Sequence, residues 1–122
     1  MNIRTETIDE TVVAFVESDE VLITDVQSAL DLMATVRYET GADRMALQKA
    51  ALDERFFVLS SRLAGDILQK FVNYQMKVAI VGDFSGYSSK PLRDFICESN
   101  SGHHVFFVSS EAEAAQKLAR AT

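Results

Sequence analysis

Residues 62–83, RLAGDILQKFVNYQMKVAIVGD, change their hydrophobic period once, and that change decides the fold. Up to Tyr74 the apolar residues Leu63, Ala64, Ile67, Leu68, Phe71 and Val72 recur at three- and four-residue intervals, with Arg62, Asp66, Lys70 and Asn73 outside them. Such a stripe predicts an amphipathic helix, and Ser60 or Ser61 can cap its start. From Lys77 the pattern KVAIVG is short, continuous and β-branched, as a strand covered on both faces requires.

The pattern extends in both directions. Downstream, SSKPLRDFICESN (residues 88–100) spaces Leu92, Phe95 and Ile96 helically, with Pro91 in the first turn where its missing N–H costs nothing. HVFFV is a further buried strand, and SSEAEAAQKLAR a helix whose Ser110 and Glu113 have capping-box spacing. Cys97, beside Phe95 and Ile96, is expected to be buried and inert.

Upstream, NIRTETI and VVAFV read as two strands joined by a turn at Asp9-Glu10. A helix follows with Thr24 and Gln27 as its capping box, Val26, Ala29, Leu30, Met33 and Val36 on one face, and Gly41 as its stop. RMALQKA is a strand with Met45 and Leu47 on one side. The order ββαβαβαβα predicts an α/β sandwich: a mostly parallel five-stranded sheet, an antiparallel edge strand and four helices, in one domain over residues 1–122.

Composition narrows the function. The chain is 48% hydrophobic and 25% charged, which supports a packed core, and its net charge of −6 repels phosphate backbones and anionic lipid. Nucleic-acid and membrane-surface binding are therefore not expected. No signal peptide or membrane-spanning run is visible, and the single cysteine agrees with a cytoplasmic location.

The stretch around Phe56-Phe57, Ala64-Gly65, Ile67-Leu68-Gln69-Lys70-Phe71, Asn73-Tyr74, Gly82-Asp83-Phe84-Ser85, Ser89-Lys90, Asp94-Phe95 and Asn100 resembles a bacterial family known as domain of unknown function 4180. The resemblance covers most of residues 44 to 119. It implies an uncharacterised cytoplasmic protein and brings no activity with it. More distantly, the element order and FVLSSRLAG resemble sulfate-transporter and anti-sigma-antagonist (STAS) domains, which carry a phosphorylatable serine in Asp-Ser-Ser-Gly-Leu. Ser60, Ser61 and Leu63 match that pattern, whereas Leu59 and Arg62 replace its aspartate and glycine. What carries over is a STAS-like fold.

Two strand-end loops hold the candidate site. Ligands in open α/β sheets collect beyond the carboxyl ends of the strands, where Asp83 sits directly after VAIVG. Ser85, Tyr87, Ser88 and Ser89 follow it. Ser60, Ser61 and Arg62 lead into the preceding helix, and Lys90 into the next. Arg62 and Lys90 oppose the helix dipoles there, which suits a nearby anion. The plainer reading is that these residues only tie turns and cap helices.

Catalytic motifs are missing. GDFSG places Ser85 fourth and is not the G-x-S-x-G elbow. The His103-His104 pair lacks metal-ligand spacing, and no phosphate-cradling glycine pattern or cofactor motif occurs. The reading is a regulatory or binding module for a protein partner or small anionic ligand, without catalysis. Two alternatives stand beside it: a small-molecule enzyme using Asp83 with Ser85 or Tyr87, and a structural homodimer pairing through a helix or the edge strand. Exposed members of Phe56, Phe57, Phe71 and Tyr74 would mark a partner surface.

Overall fold

A computed structural model describes residues 1–121. Strands β1 (Asn2–Ile8) and β2 (Thr11–Glu17) form an antiparallel hairpin whose two loop residues, Asp9 and Glu10, both take positive φ, 51° and 69°. That is a type I′ turn, which matches the strands' right-handed twist although neither residue is glycine. Helix α1 (Val26–Thr40) leads to β3 (Arg44–Gln48), and three short 3-10 turns lead from there to α2 (Leu63–Asn73). β4 (Lys77–Val81), α3 (Lys90–Asn100), β5 (Val105–Val108) and α4 (Glu111–Arg120) complete the order. The sheet runs β1-β2-β3-β4-β5, with every pair after the first parallel. The expected mixed sheet with an antiparallel edge and four helices is what the chain forms.

The strand order never reverses, so right-handed crossovers lay α1, α2 and α3 on one face. Side-chain alternation then divides the core. Val16, Leu47, Ile80 and Phe107 face the three helices, while Phe15, Ala46, Val81 and Phe106 face α4 alone. Ala114, Ala115 and Leu118 form the buried stripe of α4; its two alanines let a single helix lie close beneath the phenylalanines of the sheet. Arg44 closes this layer by donating to the carbonyls of Leu118 and Ala121 at the end of α4, where a cation also suits the helix dipole.

Caps shift the expected helix starts slightly. Helix α1 is capped by Asp25 and Ser28, one residue later than Thr24 and Gln27: Asp25 accepts from the Ser28 N–H at 2.8 Å, and Ser28 Oγ accepts from the Asp25 N–H at 3.1 Å. Gly41 ends that helix in the left-handed region at φ 73°. Arg62, at φ 64°, occupies the N-cap position of α2 without capping through its side chain. Phe56, Phe57 and Phe71 are core, whereas Val72 and Tyr74 are exposed. Cys97 is exposed too, on the outer side of α3, contrary to the burial expected from its neighbours.

Candidate functional site

Each β-strand outlet sends the chain to one face of the sheet. After β3 and β4 it bends to the three-helix face; after β5 it bends the other way, into α4. Adjacent outlets that diverge leave a crevice between them, and in open α/β sheets that is where ligands bind. Here the crevice opens beyond β4 and β5. A cleft of about 560 Å³ occupies it, with Gln48, Gly82, Asp83, Ser109 and Glu113 on its walls. A neighbouring cleft of about 620 Å³ shares Gln48, Gly82 and Asp83 and adds Lys49, Glu54 and Val21.

Asp83 stands at the junction of the two clefts, exposed, at the carboxyl end of β4 as expected. Its Oδ1 accepts the Ser85 N–H at 2.9 Å and the Ser85 hydroxyl at 2.6 Å. These bonds, the hydroxyl's first, hold its carboxyl below the ordinary 3.8, with Lys49 contributing a weaker pull. The side chain therefore folds onto its own turn and not toward Ser88 and Ser89.

The rest of the loop is anchored by aromatics. Tyr87 stacks on Phe57 with ring centroids 5.2 Å apart, and Phe84 meets Phe107 edge-on at 5.3 Å. Polar as residues 82–89 look, Phe84 and Tyr87 among them are half-buried and pack against the core.

Lys49 is the residue that sequence reasoning missed. It follows β3 in a run of small residues that carries no motif. Its Nζ lies 4.6 Å from the Tyr87 ring centroid and 5.6 Å from that of Phe57, in cation–π range of both. Its stem crosses Gly82, where an added Cβ would stand 2.6 Å from Lys49 Cβ, so the approach requires glycine. The Tyr87 hydroxyl first, then the charges of Glu54 and Asp83, hold Lys49 above its ordinary 10.5 against the effect of burial. That hydroxyl lies near the ammonium without meeting hydrogen-bond geometry, because Nζ sits over the ring. Among the described residues it is the buried side-chain polar atom left without a hydrogen-bond partner.

The other expected residues lie outside both clefts. Ser60 is exposed in the last 3-10 turn. Ser61 donates to the Arg55 carbonyl at 2.7 Å and accepts the Leu63 N–H at 3.2 Å, which ties the entry to α2. Arg62 is exposed at the same corner. Ser88 is exposed, and Ser89 caps α3 by accepting the Leu92 N–H at 3.4 Å. Lys90 pairs with Asp94 at 2.8 Å, one turn along its own helix. The cation beside Asp83 is thus Lys49, in place of Arg62 or Lys90.

The sequence pattern marks Glu113 only as a helix-start residue with Ser110, and it does not single out Ser109. Glu113 Oε2 accepts from the Ser109 hydroxyl at 3.2 Å, and this pair forms the α4 wall of the crevice.

Fold and site together define a small α/β domain with a charged crevice at the diverging outlets of two parallel strands. The chain belongs to the family described as Domain of unknown function (DUF4180), which it matches over residues 8–118. It matches no curated protein and no solved structure. No helix among the described residues is long and apolar enough to cross a membrane.

Proposed function

We propose that the protein is a cytoplasmic, regulatory binding module that takes a small polar ligand in the crevice beyond β4 and β5. The observation that carries this reading is the divergence of the two outlets, which places Asp83, Glu113 and Gln48 around one opening with Lys49 at its side. Amine or hydroxyl donors of a ligand would meet the two carboxylates, and a carboxylate or phosphate on the same ligand would turn toward Lys49. A ligand that is only anionic fits less well than the sequence suggested, because Arg62 and Lys90 stand elsewhere. Ser60, Ser61 and Arg62 would then be an accessory contact surface.

Catalysis by Asp83 is disfavoured on physical grounds. A carboxylate that already accepts two hydrogen bonds and titrates below its ordinary value is a weak general base. Lys49, held charged, is a poor nucleophile. Both groups suit recognition better than proton transfer. A protein partner is the second reading, and Val21 is the exposed large apolar residue on the cleft walls that it would cover.

The test is an amide chemical-shift titration with zwitterionic amino acids, diamines and inorganic phosphate as separate probes. Zwitterions should perturb Gly82, Asp83 and Ser109 more than phosphate does. Lys49→Met keeps the apolar stem over Gly82 and should lose the difference between zwitterion and diamine. If no probe moves these amides at millimolar concentration, small-ligand recognition at the crevice is wrong.

A further inference from the structure

We infer that the protein forms a symmetric dimer through β1, antiparallel to its copy and centred on Thr5. Strand β1 ends the sheet and runs seven residues in unbroken register with β2, without proline or bulge. Five of its seven residues are exposed. Natural edge strands are commonly short, bulged, interrupted by proline or covered, and this one is none of these; the guard it carries is the pair of exposed charges Arg4 and Glu6.

Backbone parity identifies the free groups. In a two-residue hairpin the flanking pair, here Ile8 and Thr11, exchanges both hydrogen bonds. Alternation then turns Glu6, Arg4 and Asn2 toward β2, and leaves the N–H and C=O of Ile3, Thr5 and Thr7 pointing away from the sheet. A second β1 laid antiparallel with Thr5 opposite Thr5 sets Ile3 opposite Thr7 and pairs every outward group.

The charges select that register. Arg4 and Glu6 lie on one side of the strand, and the Thr5-centred pairing puts Arg4 of each copy opposite Glu6 of the other. These are the non-hydrogen-bonded positions, where side chains approach most closely. A shift by two residues in either direction, the smallest that keeps the outward groups paired, would set Arg4 against Arg4 or Glu6 against Glu6. Arg4 has attraction to spare, since Glu6, Glu17 and Glu111 all surround it within its own chain. The contact is isologous and closes after two copies, so it gives a dimer and not a filament. Both sheets then join into one.

Sedimentation equilibrium on the full chain, across about 1 µM to 1 mM, should show reversible monomer–dimer exchange. Thr5→Pro removes an outward N–H and leaves every bond to β2 in place, so it should yield a monomer with an unchanged circular-dichroism spectrum. Arg4→Glu and Glu6→Arg should each weaken association by about tenfold or more. The double exchange should restore it, because positions 4 and 6 face each other across the axis. Should Arg4→Glu lower the melting temperature by breaking its contacts with Glu17 and Glu111, the double exchange shares that defect, and Glu6→Arg and Thr5→Pro carry the test. A chain that stays monomeric over the whole range overturns the inference. So does a dimer that survives Thr5→Pro, or a double exchange that associates no better than the single changes.

Discussion

After β3 the chain makes three tight turns over residues 49–61 before α2 begins, while after β4 it reaches α3 through residues 82–89 without regular structure. The first connection is held by backbone. The Leu22 and Ile23 N–H groups donate to the Ala51 carbonyl at 2.8 and 3.0 Å, and the Asp53 N–H donates to the Ile23 carbonyl at 2.9 Å. The second is held by side chains: the Asp83–Ser85 clasp and the inserted rings of Phe84 and Tyr87. Backbone bonds fix where a segment lies whatever its side chains are, whereas a side-chain clasp can be rewritten residue by residue. The two connections meet at Phe57, Lys49 and Gly82, and the crevice depends on that meeting.

Removing the shared ring should break the comparison hardest. Phe57 is buried against Phe56, Phe84 and Tyr87, so Phe57→Ala should cost about 3–5 kcal/mol in chemical denaturation. Amide exchange should quicken in residues 84–88 more than in residues 50–53, because only the former lose their anchor. Equal quickening in both would show that the backbone bonds do not hold the first connection independently.

Gly82→Ala tests the contact itself. Its new Cβ would press on a stem carbon rather than a mobile tip, and overpacking of this kind costs about 1–3 kcal/mol. A melting temperature equal to that of the parent would mean that the connections can part without loss.

Asp83→Asn is the gentlest change. Because the folded carboxyl titrates below 3.8, it stabilises the fold at any pH above that value, and the contribution fades as pH falls through the folded value. Asp25 and Asp53, lowered by bonds from Ser28 and Arg55, weaken the fold in the same acid range. The difference between parent and variant isolates Asp83. It should be small near neutrality and vanish in strong acid; a difference that grows as pH falls would contradict the clasp.

The order of elements was legible because each period change is long and unambiguous, as at Phe71 to Val78. Caps were less so. Thr24, Asp25 and Ser28 are all capping types, and only packing of the preceding segment chooses among them. The site was half legible: Asp83 could be placed because a strand end is a sequence feature. Lys49, Gln48, Ser109 and Glu113 join it through the facing of neighbouring outlets, which no local spacing records. Tyr87 and Phe84 were hidden by polar neighbours that suggested a solvated loop, and Cys97 by apolar neighbours that suggested burial.

The strictly sequential strand order also bears on how the chain closes. Each parallel pairing joins residues roughly one βαβ unit apart, such as Ala14 with Met45 or Val78 with Val105. Contacts between α4 and the first hairpin reach much further, as Arg4 and Glu111 do across 107 positions. Loop-closure entropy grows only with the logarithm of length, so the long closure costs about 1 kcal/mol more than one βαβ step. A single helix can thus tie the last part of the chain to the first, and the sheet need never be threaded or reordered to let it dock.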